Sequence, residues 1–237
     1  MDDVAEQPSP TADPARRRWG AWDAVVGLLV AFVAVSFGSV LVLAATGEGT
    51  IEFRQGAQAV QAAVLIGVAF GYAIARGDGS EQATRALGLV RPTKGWLKLT
   101  TLAFFGFLAF AILVSSLIRP PEQEDIAEQL GVDAGAVAAI GAGLLIVIAA
   151  PLSEEIFFRG FFFAGLRRGM PLIAAALVSG VLFGAAHLTT GDVLAFVQLS
   201  VLGALLAWLY ERTGTLWSPI ALHFANNAIA FAALLAG

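Results

Sequence analysis

Three short stretches hold most of the side chains in this sequence that could do chemistry. "PLSEEIFFRGFFF", residues 151–163, carries Glu154, Glu155 and Arg159; "FGAAH" carries Phe183 and His187; "HFANN" carries His223, Asn226 and Asn227. They include both of the 2 histidines in the chain, and each stretch is embedded in apolar residues. A carboxylate can take a proton from water, an imidazole can share or return it, and a carboxamide can donate to an oxyanion, so the set suits hydrolysis. Two imidazoles and a carboxylate equally suit a catalytic zinc, with water in the fourth position. In that reading Glu154, His187 and His223 are the ligands of Zn or another divalent cation, whereas the metal-free reading requires no cofactor. No His-Glu-x-x-His helix is present, which favours the metal-free reading.

Helical spacing then assigns partners. Glu155 and Arg159 are four apart, share a face and pair, which makes them a structural clamp. Glu154 is turned about 100° from Glu155 and has no basic residue four positions away, so it is the unpaired carboxylate. Phe183 and His187 share one face, as do His223 and Asn227; Asn226 replaces Asn227 if the register differs. Glu154 lies about 21 Å from Arg168 and His187 about 24 Å from Pro171 at the helical rise, matching depths at which the two could meet. His223 is only about 15 Å beyond Gly214 by the same rise, unless "RTGTLWSP" dips inward before its helix starts.

The elements that must position these groups are membrane helices. The chain has 237 residues, 58% of them hydrophobic and 14% charged, with a mean hydropathy of +0.79. Ordinary soluble domains carry about 25% charged residues, and a chain this size cannot bury so much apolar surface. Apolar runs near 24–46, 57–75, 96–118, 134–168, 171–187, 193–210 and 216–236 predict an all-α, polytopic membrane bundle of about seven transmembrane helices, or eight if the fourth run divides at Pro151. Cysteine is absent, which excludes disulfides, thiolate metal sites and a cysteine nucleophile. A net charge of −4 with no basic stripe argues against nucleic-acid binding.

Three regions follow: a disordered tail over 1–21, N-terminal transmembrane helices and loops over 22–133, and a catalytic core over 134–237. With the N-terminus in the cytoplasm of a multi-pass cell-membrane protein, eleven basic residues fall on the cytoplasmic side, and only Arg54 and Arg119 on the other. The acidic loop Glu122–Asp133 then lies outside. Gln58 and Gln61 are the most polar groups inside the first three runs. Trp19, Trp22, Trp96 and Trp217 read as interface anchors. Phe157, Phe158, Phe161, Phe162 and Phe163 read as lipid-facing or packing residues, some of them walling a cavity. Charged groups deep in a bilayer are costly and normally line a functional cavity.

In their order and separation, Glu154-Glu155-x-x-x-Arg159, Phe183-x-x-x-His187 and His223-x-x-x-Asn227 resemble the CPBP family of intramembrane proteases, the CAAX prenyl endopeptidase, bacteriocin-processing and Abi group. The resemblance covers about residues 138–232. It implies hydrolysis of a peptide bond of a membrane-associated peptide or protein, lipidated or not, in a cavity opening toward the cytoplasm. By similarity, Glu154 and His187 activate water, His223 and Asn227 stabilise the oxyanion, and Glu155, Arg159, Phe183 and Asn226 support them. Such enzymes are also called metalloproteases, so both the metallo- and glutamate-type readings stay open. The partners implied are the substrate and membrane lipids. The competing class is a non-enzymatic transporter, or an immunity or scaffold protein, using the same buried polar cluster; no internal repeat supports the transporter.

Overall fold

The computed structural model describes residues 19–76, 79–117, 134–188 and 193–236. The expected tail before Trp19 and the acidic loop Glu122–Asp133 lie outside these residues. Eight helices follow one another: α1 (Ala21–Thr46), α2 (Ile51–Ala75), the short α3 (Ser80–Ala86), α4 (Trp96–Leu117), α5 (Ala136–Leu166), α6 (Leu172–Ala185), α7 (Val193–Thr213) and α8 (Trp217–Ala236). Among the described residues there is no strand.

Each of the seven apolar runs contains one of these helices, and the bundle is polytopic. Six are long and apolar enough to cross a membrane. The seventh, α6, has 14 residues and reaches about 21 Å, short of the roughly 30 Å hydrocarbon core. The fourth run is one continuous helix and does not divide at Pro151. Pro151 has no N–H to donate and its ring would crowd the carbonyl four residues back. The strain is taken up in wider π-helical turns over Leu144–Ala149 and Glu155–Phe163, on either side of the α-helical Ala150–Glu154. Outward faces are apolar: Leu29, Phe32, Val33 and Phe37 of α1 and Leu102, Phe105 and Ile112 of α4 are exposed, as lipid contact requires.

One expectation changes and a second is narrowed. Trp19 belongs to the bundle rather than to a tail or an interface belt: it is 1% exposed, and its indole N–H donates to the Phe161 carbonyl at 2.9 Å. The five phenylalanines of α5 are all buried, so of the two readings packing holds, because the second half of this helix runs through the centre of the bundle. Phe161 packs on Trp19 and Tyr72, and Phe158 packs edge-on against Phe183.

Basic residues gather at one end. Arg76 pairs with Asp23, Arg167 with Glu211 at 2.8 Å, and Arg168 donates to the Trp19 carbonyl. At this end the segment after Gly214 does turn inward before α8 begins. Thr215, Leu216 and Ser218 are fully buried; Thr215 donates its hydroxyl to the Val90 carbonyl at 2.7 Å and Leu216 its N–H to the Gly88 carbonyl at 2.8 Å. Non-helical backbone at this depth is tolerated because protein covers it. Gly88, at φ 87°, lies where a Cβ would meet the Tyr210 hydroxyl at 2.4 Å, so no other residue fits without displacement.

The α6–α7 hairpin is zipped by small residues. A Cβ on Gly203 would lie 2.8 Å from the Gly180 Cα and 3.0 Å from the Phe183 Cβ, the close approach that small residues permit between membrane helices. Gly203→Val should therefore destabilise the folded protein by about 1–3 kcal/mol. Thermal unfolding in detergent reads this out, and an unchanged midpoint would refute the close packing.

Candidate active site

Three helices deliver the polar side chains to one place. Glu154 ends the short α-helical turn after Pro151, Glu155 opens the π-helical stretch, His187 follows the end of α6, and His223 lies two turns into α8. Glu154 and His187 meet at their matching depths: Glu154 Oε2 is 4.0 Å from His187 Nε2. The same oxygen is 3.9 Å from His223 Nε2, because α8 starts inside the protein and the apparent 15 Å offset is absorbed there.

The tautomers follow from the partners. His187 Nδ1 is 2.8 Å from the Phe183 carbonyl, which can only accept, so Nδ1 carries the proton. His223 Nδ1 is 2.9 Å from Glu155 Oε1, and a carboxylate facing Arg159 also accepts. In the neutral rings both Nε2 atoms therefore point their lone pairs toward Glu154. Three acceptors converge on one spot without a donor among them. Their separations exceed a direct hydrogen bond of about 2.7–3.2 Å and fit two legs of about 2.8 Å meeting near a right angle on one water molecule. Such a water can give its protons to the carboxylate and to an imidazole.

Glu155 and Arg159 form the expected pair, Nη1 to Oε1 at 2.7 Å, with both side chains 0% exposed. The guanidinium also donates from Nη2 to the Gly203 carbonyl at 3.0 Å, and its Cζ lies 4.5 Å from the Phe183 ring centroid. The clamp has a second duty that spacing alone does not reveal: the same Glu155 oxygen holds His223. Phe183 supports both imidazoles, 4.9 Å from the His187 ring and 5.6 Å from that of His223.

Asn227 is engaged at the backbone. In the π-helical turn the Ala150 N–H donates to the Leu145 carbonyl, and Pro151 has no N–H, so the Ile146 carbonyl loses its usual helical donors. Asn227 Nδ2 supplies one at 2.9 Å, while Asn226 Nδ2 lies 3.3 Å from Asn227 Oδ1. Sequence reasoning gave no partner to Gln61 of α2, whose Nε2 is 3.4 Å from Glu154 Oε1. The available signal was its isolation as a polar residue in an apolar run.

Openness is uneven. The side chains of Glu154 and His223 are 5% and 3% exposed, that of His187 35%. Toward the basic end every residue from Ser153 to Leu166 is buried, so the exposed edge of the cluster lies at His187. Glu154, His187 and His223 have the donor types for zinc, but separations of 3.9 and 4.0 Å exceed the edge of about 3.4 Å that a tetrahedron with roughly 2.1 Å bonds needs. Among the described residues no group of three or more His, Cys, Asp or Glu is placed to hold a metal ion. The set does not fit the ion as it stands, and no step below runs through a metal.

Fold and site together define a polytopic helical membrane protein with a buried Glu-His-His cluster. Residues 136–229 match the family model described as type II CAAX prenyl endopeptidase Rce1-like. A Bacillus subtilis (strain 168) protein, YdiL, provisionally described as a membrane peptidase, is 33% identical over 87 residues, covering 35% of this chain and 34% of its own. The chain thus spans about a third of the length of that curated relative. No solved structure matches. Over residues 136–229 the chain is similar to this family of CAAX prenyl endopeptidases.

Asn227→Leu keeps the branched four-atom side-chain shape and strands the Ile146 carbonyl. The expected cost is about 1–3 kcal/mol of stability, measured by unfolding in detergent micelles; no loss would mean that this bond is dispensable.

Proposed function

We propose that the protein is an intramembrane endopeptidase that hydrolyses a peptide bond of a membrane-associated substrate by metal-free water activation. The observation carrying this reading is the convergence of Glu154 Oε2 with both imidazole Nε2 atoms within 4.0 Å. The match of residues 136–229 to the type II CAAX prenyl endopeptidase Rce1-like family model supports it.

Glu154 takes a proton from a water molecule that His187 Nε2 orients, and the oxygen attacks the carbonyl carbon. The tetrahedral oxyanion needs N–H donors. Neutral His223 has none at Nε2, since its proton is held on Nδ1 by Glu155; the ring donates from Nε2 only when both nitrogens carry a proton. Asn227 has a second N–H beyond the one given to Ile146. The proton on Glu154 then passes to the leaving amine as the C–N bond breaks, which restores the carboxylate. Gln61 steadies the other oxygen of Glu154.

Orientation belongs to the same proposal: the end bearing Arg76, Arg167 and Arg168 faces the cytoplasm, by the excess of basic residues there, and the N-terminus with it. The substrate is a peptide or protein reaching the cluster past His187; whether a lipid modification contributes is set by the substrate.

Reconstituted in liposomes with a quenched peptide panel, Glu154→Gln should lower turnover by about 10²–10⁴-fold with unchanged unfolding. Gln61→Leu should lower it by about 10- to 100-fold, the worth of one hydrogen bond to a charged group. Turnover should persist in chelator. Full activity in Glu154→Gln would overturn the assignment, and abolition by chelator would overturn the metal-free form.

A further inference from the structure

An apolar groove of about 480 Å³ runs between α4 and α7 on the lipid-facing side, away from the Glu-His-His cluster. One wall is the stripe Leu102, Gly106 and Phe110, and the other is Val201, Leu205 and Trp208. Both stripes end in a basic residue at the same end of the bundle. Lys98 precedes Leu102 by one helical turn, and Arg212 follows Trp208 by one turn, so each continues its own wall. The two helices run antiparallel and their ends meet there, as the Thr93 hydroxyl donating to the Thr213 carbonyl shows.

We infer that this groove is a binding site for an anionic phospholipid, with one acyl chain between α4 and α7 and the phosphate between Lys98 and Arg212. From Lys98 to Phe110 the wall is about 18 Å long, close to the roughly 15 Å hydrocarbon depth of one leaflet. Lys98 and Arg212 are exposed, and among the described residues neither makes an ion pair. The Arg212 guanidinium is steadied 5.7 Å over the Trp208 ring, which places the charge at the groove's mouth. Glu211, the acidic residue beside it, is turned inward and held by Arg167, so it does not cancel the charge. Basic side chains at the mouth of an inter-helical groove select anionic headgroups, whereas the groove by itself would accept any acyl chain. The inference is independent of the proposed hydrolysis.

Native mass spectrometry of the whole protein, released from micelles containing phosphatidylglycerol and phosphatidylcholine with identical chains, tests it. The protein should retain phosphatidylglycerol preferentially, by about fivefold for each basic residue. Lys98→Gln with Arg212→Gln, both at exposed positions, should bring the ratio to about one. Gly106→Phe fills the groove, since a Cβ at Gly106 meets nothing within 4 Å, and should reduce retention of both lipids. A wild-type ratio near one, an undiminished ratio in the double variant, or full retention in Gly106→Phe would overturn it. So would displacement of the phosphatidylglycerol by a farnesylated peptide, which would assign the groove to substrate.

Discussion

The rest of the molecule hangs on a carboxylate and a guanidinium held entirely away from water. Glu155 and Arg159 are tolerable inside a bilayer only because each sees the other at 2.7 Å; losing either would leave an uncompensated buried charge at a cost of about 3–5 kcal/mol. The pair also joins separate parts of the chain. Arg159 reaches the Gly203 carbonyl of α7, and Glu155 reaches the ring of His223 in α8. One ion pair thereby fixes three helices and sets the tautomer of an imidazole, and the unpaired Glu154 next to it inherits a defined position. The aromatic packing around α5 keeps the pair dry.

Backbone irregularity does comparable work. Pro151 makes a regular α-helix impossible through the middle of α5, and the wider turns that accommodate it leave the Ile146 carbonyl to a side chain from α8. At the basic end the inward segment Thr215–Leu216 is sheltered by residues 88–90, and this lets α8 begin deep enough for His223 to meet Glu154. Both devices trade a regular element for an exact relation between helices far apart in sequence.

What could be read from the sequence divides along physical lines. Contacts within one helix were legible, since a period of 3.6 places Glu155 over Arg159 whatever surrounds them. The meeting of Glu154 and His187 was legible because rise per residue converts position into depth. The membrane class followed from composition. Three things were not legible. Gln61 depends on the rotation of α2 against α5, and an apolar helix in lipid carries little polar asymmetry to reveal it. The burial of Trp19 and the phenylalanines depends on α5 being central, which hydropathy cannot distinguish from peripheral. The link from Glu155 to His223 joins residues 68 apart, and nothing in the spacing of either motif encodes it.

The shortness of α6 has its own consequence for the surrounding lipid. A span of about 21 Å leaves some 9 Å of a roughly 30 Å hydrocarbon layer unmatched on that flank. Lipids meet such a mismatch by compressing their tails and drawing the headgroup plane inward. His187 lies at the end of this short span, so a membrane thinned on that flank would bring the headgroup plane and bulk solvent nearer to its ring.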